Sequence, residues 1–586
     1  MDRKSLVILG VAILMLLAMS PVVDHFFPAK PIPPEVLAMM TNRPPANTQP
    51  ASAVSSAPAE TPSSWVKPSA PEQTLSVTND DLIFNFTSHG GGLKSVALRH
   101  SPATINRTSK TLLSNNLATL NARALAPVLM LSDGQGDNYF NLTQTGRKVT
   151  AEKTLAGGLR LVKEFDISTN YLFTARVRLE NTSGQALKIP ARELVMGAAT
   201  PIGPLDDPTT MGTFWYNGVK IQNIKQPWFA NHALGCAILP GTPRAVYEQG
   251  TNNVVWAAVH NQFFTLASIP EHPAPRLVIR PIRISPPDMV GLTNSTSAML
   301  TNGYQLSYWY PENTLAPHQS LDTSFTFYAG PKEYNRLAKI GLAMNNNLDL
   351  IMDFSGPIGF FSKMLLLSMN GLNALGLGYG MAIIAITLII KAIFWPLTKA
   401  STKSQKRMQA LQPQIKAIAD KYKEDPVKKN QKTMEFMKEH KVSPLGSCLP
   451  TLIQIPVFFG FYWMLRNAIE LRGVSFLWAR DLSQPDTILY FPIFGGFPLN
   501  PLPLIMGATQ LWQAHVLPPS PGMEPGQQKM MRYMPLMFIA LLYNMSSGLT
   551  LYWTVQNLLS ILQTKMTKAT DDLPAKPPGA VLKKKM

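Results

Sequence analysis

From residue 381 to residue 562 the chain alternates long apolar stretches with loops of very unequal charge, and this pattern limits its fold more than any other feature. The stretches cover residues 381–397, 445–465, 501–516, 530–545 and 548–562. Lengths near 20 apolar residues match a bilayer crossed as a helix. In lipid, only a helix or a closed barrel satisfies every backbone polar group. A sixth uncharged run, residues 5–23, follows Asp2-Arg3-Lys4. We read residues 1–27 as an uncleaved transmembrane anchor. Ala18-Met19-Ser20 is a weak cleavage signal, and a removed leader is the alternative. Composition agrees with partial residence in lipid: 15% of residues are charged, against about 25% in soluble domains.

The net charge of +18 is unevenly placed. Between the first two of the five stretches lie Lys399, Lys403, Lys406, Arg407, Lys416, Lys421, Lys423, Lys428, Lys429, Lys432, Lys438 and Lys441. The loop at 467–500 offers Arg472 and Arg480 against Glu470, Asp481 and Asp486, and the chain ends in Lys583-Lys584-Lys585. Lysine- and arginine-rich loops stay cytoplasmic. Residues 400–443 and the basic tail at 567–586 are therefore expected inside. Arg3 and Lys4 keep the N-terminus there too, and six spans return the C-terminus to the same side.

Residues 28–74 are rich in Pro, Ala, Ser and Thr and cannot bury enough apolar surface to order themselves. We read them as a disordered linker. Residues 75–345 change to period-2 alternation. Leu82, Phe84 and Phe86 alternate with Ile83, Asn85 and Thr87, and Tyr171, Phe173, Ala175, Val177 and Leu179 share one face. Phe325 and Phe327 repeat the pattern, and Gly90-Gly91-Gly92, Asp133-Gly134 and Gly157-Gly158 punctuate the runs. This predicts a large all-β sandwich, placed outside the cytoplasm because it follows the first span. A short helix is predicted within 331–350. The stretch 351–377, with Ser362, Lys363, Ser368, Asn370 and Asn373, suits an amphipathic helix lying in the membrane interface. Residues 378–566 then form a five-helix core.

No phosphate loop, nucleophile elbow or zincin motif is present, and Cys236 and Cys448 stand in unrelated contexts. Neither catalytic chemistry, a metal nor a cofactor is expected. The chemistry that remains is polarity inside the spans. Lys391 lies mid-stretch, where a lysine costs about 2.5–3.5 kcal/mol on insertion scales. Thr387 is one turn before it. Gln454, Gln510, Gln513, Asn544, Gln556, Asn557 and Ser560 add hydrogen-bonding groups, and Gln556 and Ser560 are one turn apart. Two readings stand side by side. Lys391 snorkels to the cytoplasmic surface, roughly 10 Å away, and the amides make ordinary interhelical bonds of about 0.6–2 kcal/mol. Alternatively, together they line a wet groove open to the cytoplasm. Third and fourth spans of about 21–24 Å, against about 30 Å of hydrocarbon, imply local thinning of the bilayer. In the charged loop, Met408, Leu411, Ile415, Ile418 and Tyr422 recur at three and four. Asp425-Pro426 then breaks the helix before a second one that turns Met434 and Met437 inward. That is an antiparallel hairpin with a basic exterior, which either contacts lipid headgroups or docks a partner.

The segment Pro444-Leu-Gly-Ser-Cys-Leu-Pro-Thr-Leu-Ile-Gln-Ile-Pro-Val-Phe-Phe-Gly-Phe-Tyr-Trp463 resembles the third transmembrane region of the YidC/Oxa/Alb insertase family. Phe394-Trp-Pro-Leu-Thr-Lys399 with Leu411-Gln-Pro413, and Ser547-Gly-Leu-Thr-Leu-Tyr-Trp-Thr-Val-Gln-Asn557, are similar to two further regions of it. Tyr328-Ala-Gly-Pro-Lys-Glu333 closes a β insert similar to the long Gram-negative form, a supersandwich related to sugar-binding folds. The resemblance implies a multi-pass inner-membrane insertase and chaperone with a periplasmic β domain. It would receive hydrophobic segments of nascent proteins in a polar groove and release them into the bilayer, alone or beside the Sec translocon. It implies a groove positive charge at Lys391, where better-known members carry Arg, and substrate contact at Thr387, Tyr552 and Trp553. With Gln454, Gln510, Gln556 and Asn557 these are the candidate groove residues. Lys403, Lys406, Arg407, Lys416, Lys421, Lys428 and Lys429 are the candidate docking face for ribosome or translocon, with anionic lipid as a further partner. A transporter or an anchored periplasmic binding module are the competing classes. No inverted repeat, a common transporter signature, is visible.

Overall fold

The computed structural model describes residue 68 and residues 70–567, apart from 106–115, 133–138, 156, 203–205, 207, 232–241, 285–301, 355, 441–443, 492–496, 517–532, 534–535 and 538. The expected anchor, nearly all of the linker, the tail beyond Thr567, Cys236, the Asp133-Gly134 turn and part of the 530–545 stretch lie outside the described residues. The described residues fall into two compact units, one ending at Asp353 and the other beginning at Phe354.

The first unit is a β-sandwich, and alternation dictates its faces. One antiparallel sheet runs, in spatial order, Ile221–Lys225, Gly212–Tyr216, Trp256–His260, Phe264–Pro270, Ser320–Pro331, Leu172–Asn181, Leu159–Ile167, Lys148–Thr154 and Asn141–Thr145. A five-stranded sheet (Tyr247–Gln249, Arg276–Arg283, Asn302–Tyr310, Arg192–Ala199, Leu131–Ser132), a four-stranded one (Thr74–Thr78, Leu82–Thr87, Gly92–Pro102, Leu117–Leu120) and a two-stranded one (Leu187–Ile189, Asn313–Leu315) accompany it. Leu82, Phe84 and Phe86 are wholly buried, as are Phe173 and Phe327. Phe84 meets Phe173 edge to face at 5.3 Å, and Phe86 lies 4.9 Å from Phe165. Each buried ring stabilises the core by about 1.5–3 kcal/mol. Tyr308 crosses from the five-stranded sheet to donate to the carbonyl of Ser268 at 3.0 Å. Gly197, in a bulge at φ 137°, leaves room for Leu266, whose Cδ2 would sit 2.8 Å from any added Cβ.

Helix α1 (Gln226–Ala230) is short. Helix α2 (Tyr334–Ala343) and a 3-10 turn (Leu348–Met352) fold back onto the sandwich, so this unit runs past residue 345. Trp256 Nε1 donates to the carbonyl of Asn346 at 2.8 Å, and Leu348, Ile351 and Met352 are fully buried.

The second unit is helical: α3 (Gly356–Ala374), α4 (Tyr379–Ile393), α5 (Trp395–Ala410), α6 (Gln412–Lys421), α7 (Pro426–Glu439), α8 (Pro444–Asn467), α9 (Pro501–Val516) and α10 (Ser547–Met566). Two predicted helices are divided. The 381–397 stretch ends its first helix at Ile393 and bends by 66° into α5. The reason is Pro396, which has no N–H to continue the ladder and sits in the first turn of the new helix. Pro413 likewise opens α6 after a break at Leu411. No single helix among the described residues is long and apolar enough to cross a membrane; the bent α4–α5 pair passes by length and composition. Helix α3 buries Gly359, Ser362, Leu365, Leu366 and Met369, and Ser362 Oγ donates to the carbonyl of Gly460 in α8 at 3.0 Å.

Candidate functional site

Tyr552, Gln556 and Ser560 stand four residues apart on α10 and so form one stripe. Two other helices meet that stripe. From α8, Gln454 bridges two of its members: its Nε2 donates to the Tyr552 hydroxyl at 2.8 Å, and its Oε1 accepts from Gln556 Nε2 at 2.7 Å. From α4, Lys391 Nζ donates to Ser560 Oγ at 2.9 Å, and Ser560 Oγ donates to the backbone carbonyl of Gln556 at 2.8 Å. Lys391, Ser560, Gln556, Gln454 and Tyr552 thus form one linked network over three helices. Lys391 is 7% exposed, and among the described residues no carboxylate lies within ion-pair distance of it. Below the polar line Tyr552 stacks on Phe461, with centroids 3.9 Å apart. Trp553, half-buried, meets Phe458 edge-on at 4.5 Å.

The other candidates lie elsewhere. Thr387 is buried and closes its hydroxyl on the carbonyl of Ile383 in its own helix at 2.7 Å. Asn557 turns to α9, where its Nδ2 lies 3.2 Å from Thr509 Oγ1 and 3.4 Å from the carbonyl of Met506. Gln510, also on α9, buries an Oε1 with no hydrogen-bond partner among the described residues. Asn544 is exposed. The contact of Ser560 with Lys391 was missed by sequence reasoning. The Gln556/Ser560 spacing was visible, but the stagger of α4 against α10 is set by tertiary packing alone.

The charged region is a helical hairpin with a small core of Met408, Leu411, Ile415 and Met437, flanked by Phe436. Met434 does not turn inward as expected; it is 57% exposed. The inward face of α7 passes through Phe436, Met437 and His440, whose ring lies 4.1 Å from that of Phe436. Asp425 caps α7 by accepting from the backbone N–H of Lys428 at 3.0 Å. That bond and the Lys428 ammonium hold its carboxyl below the usual range. Of the basic candidates, Lys416, Lys421 and Lys428 are exposed, and Lys403, Lys406, Arg407 and Lys429 are half-buried. Lys428 pairs with Asp425 at 3.3 Å, and Lys421 lies 5.6 Å from the Tyr422 ring centroid. Lys406 Nζ donates to the carbonyl of Thr567, a favourable place for a cation at the C-terminus of α10. One turn earlier, Gln563 Nε2 donates to Thr398 Oγ1 at 2.6 Å, tying α10 to α5.

The chain matches the family model of the YidC periplasmic domain over residues 74–367 and that of the 60Kd inner membrane protein over residues 371–573. It is 29% identical to the membrane protein insertase YidC of Chlorobaculum parvum, over 97% of this chain and 95% of that protein. It is 31% identical to the membrane protein insertase YidC of Pelobacter propionicus, over 91% and 93%. A crystal structure of an active YidC insertase with its first transmembrane domain resolved aligns over 86% of this chain and 95% of that one, at 17% identity and a TM-score of 0.35. Two family models that together cover both compact units, and a 31% identity sustained across nine-tenths of the sequence, establish that the chain belongs to the YidC family, inner-membrane insertases with a periplasmic domain rather than enzymes.

Proposed function

We propose that this protein receives hydrophobic segments of nascent membrane proteins in a polar groove between α4, α8 and α10, and releases them into the bilayer. The observation that carries the proposal is the network running from Lys391 through Ser560, Gln556 and Gln454 to Tyr552. The helices that bear it also expose Leu388, Ile389, Ile393, Ile455, Phe459, Leu558 and Leu562. Apolar outer faces suit lipid, and a polar seam suits a hydrophilic flank in transit. In this reading residues 378–566 are the polytopic core, α3 is an interfacial helix and residues 75–353 are the periplasmic domain, with both chain ends cytoplasmic. Sixteen residues of α9 reach only about 24 Å, so the bilayer thins beside the groove and the barrier there falls. The exposed lysines of the hairpin and the basic tail dock ribosome, anionic lipid or the Sec translocon, and the protein acts alone or as a chaperone beside that translocon.

Lys391 attracts acidic residues of the incoming flank. At 4 Å in a partly buried site a unit charge pair interacts by about 4 kcal/mol, more than an exposed pair supplies. The test uses the full-length protein in liposomes without ATP, with a small single-span substrate that carries an acidic flank. The wild type and Lys391→Arg insert it, and Lys391→Glu inserts it about tenfold more slowly or worse. Equal insertion by Lys391→Glu removes the charge-attraction role, and no insertion by the wild type removes the proposal.

A further inference from the structure

We propose that Ser560 is the positioning residue for Lys391, holding its ammonium at the seam of α4 and α10 until an acidic group of the incoming segment takes the hydroxyl's place. The proposal rests on the groove reading above. Ser560 Oγ donates to the carbonyl of Gln556, four residues back, at 2.8 Å. That bond uses the hydroxyl's single hydrogen, so only lone pairs face Lys391, whose Nζ lies at 2.9 Å. Ser560 Oγ is the hydrogen-bond acceptor of Lys391 among the described residues, and Lys391 is 7% exposed. A hydroxyl orients an ammonium without neutralising it, whereas a carboxylate does both. The amine is therefore fixed in place with no carboxylate beside it among the described residues.

The exchange is easy on the Ser560 side. When the ammonium leaves, the hydroxyl keeps its bond to Gln556 and no donor is orphaned. The Gln556 side chain is engaged separately with Gln454 at 2.7 Å, so the neighbouring bridge to Tyr552 stays closed while the clasp opens. The arrangement also suits lysine at this position. A compact ammonium is oriented by one acceptor, and a guanidinium fork asks for two in plane.

The experiment uses full-length protein in liposomes and two single-span substrates that differ by one Asp→Asn change in the flank that crosses. The readout is the ratio of their insertion rates, which a merely structural role of Ser560 leaves unmoved. The wild type favours the Asp substrate by about tenfold. Ser560→Ala lowers that ratio about threefold or more, and Ser560→Thr, whose hydroxyl makes the same bond to the carbonyl four residues back, restores it. Lys391→Gln brings the ratio to about one. If Ser560→Ala slows both substrates in equal proportion, or Ser560→Thr behaves as Ser560→Ala does, the positioning role is refuted while the groove reading stands. If Lys391→Gln keeps the wild-type ratio, the groove reading fails and this proposal fails with it.

Discussion

Two side chains in the sandwich show how burial turns a single residue into a measurable property. His260 is 2% exposed and stacks on Phe214 at 4.2 Å. Its ring nitrogens lie 3.1 Å from the Asn261 carbonyl and 3.2 Å from Asn223 Oδ1. Burial first, then the nearby Lys332 and Lys225 cations, hold its pKa well below the ordinary 6.5. Above pH 6.5 the ring is neutral both folded and unfolded, so its linkage to stability is nil. As the pH falls below 6.5 the unfolded chain takes a proton that the folded one refuses. Stability then declines by about 1.4 kcal/mol per pH unit until the folded site also titrates. We expect the denaturation midpoint of the β unit, followed in the full-length protein, to drop between pH 6.5 and 5, and His260→Gln to flatten that limb. An equal slope in His260→Gln excludes the assignment. Tyr308 makes a contrast with the surface. Its hydroxyl is fully buried, so Tyr308→Phe takes a donor from the buried Ser268 carbonyl, while Ser268 Oγ keeps its bond to the carbonyl of Ala257, at about 1–3 kcal/mol. The Lys94–Glu72 pair has side chains 46% and 27% exposed, so Glu72→Gln costs about 1 kcal/mol or less. Urea titrations of the two variants decide the order.

At the scale of elements, periodicity was the legible signal, and it worked where one face is buried. Period 2 placed Leu82, Phe84 and Phe86 inside, and the limits read for 501–516 coincide with α9. The failures share a cause. Helix breaks at Phe394 and Leu411 were hidden within apolar or heptad-like runs, although Pro396 and Pro413 marked the new first turns. Met434 was placed inward because it shares a spacing of three with Met437, which holds only if the partner helix meets both. Contacts between distant segments, such as Lys391 with Ser560 or Asn557 with Thr509, depend on stagger that no local window encodes. The hairpin tests the corrected face directly. Its four-residue core is too small to absorb a charge, because losing one buried aliphatic side chain alone costs about 2–5 kcal/mol and helices this short are marginal unaided. Met437→Asp is expected to abolish the protection of residues 412–439 in hydrogen exchange while the β unit keeps its midpoint. Met434→Asp is expected to leave both unchanged. Equal loss in the two variants returns Met434 to the core.

At the scale of the molecule, the question is whether insertion belongs to the helical unit alone. Each unit closes its own core: the sandwich buries Phe84, Phe173 and Phe327 and ties α2 and the turn after it to Trp256, and ends at Asp353. Every member of the polar network falls between Lys391 and Ser560, so no hydrogen bond in it comes from the sandwich. A sandwich of this size evolved as an anchored binding module would carry the activity itself and use the helices only as an attachment. Those alternatives predict opposite results from one pair of deletions. If the groove is the working part, removing residues 75–353 from the full chain leaves insertion of a small single-span substrate within about threefold, because the charge-attraction energy that drives it resides in groups left untouched. Removing α10, which contributes three of the five network residues, abolishes insertion. The measurement is the insertion rate in liposomes, with hydrogen exchange confirming that the helices of the shortened protein retain their protection. A shortened protein with protected helices and no insertion would place an essential step in the sandwich and refute a division of labour in which the helical unit inserts unaided.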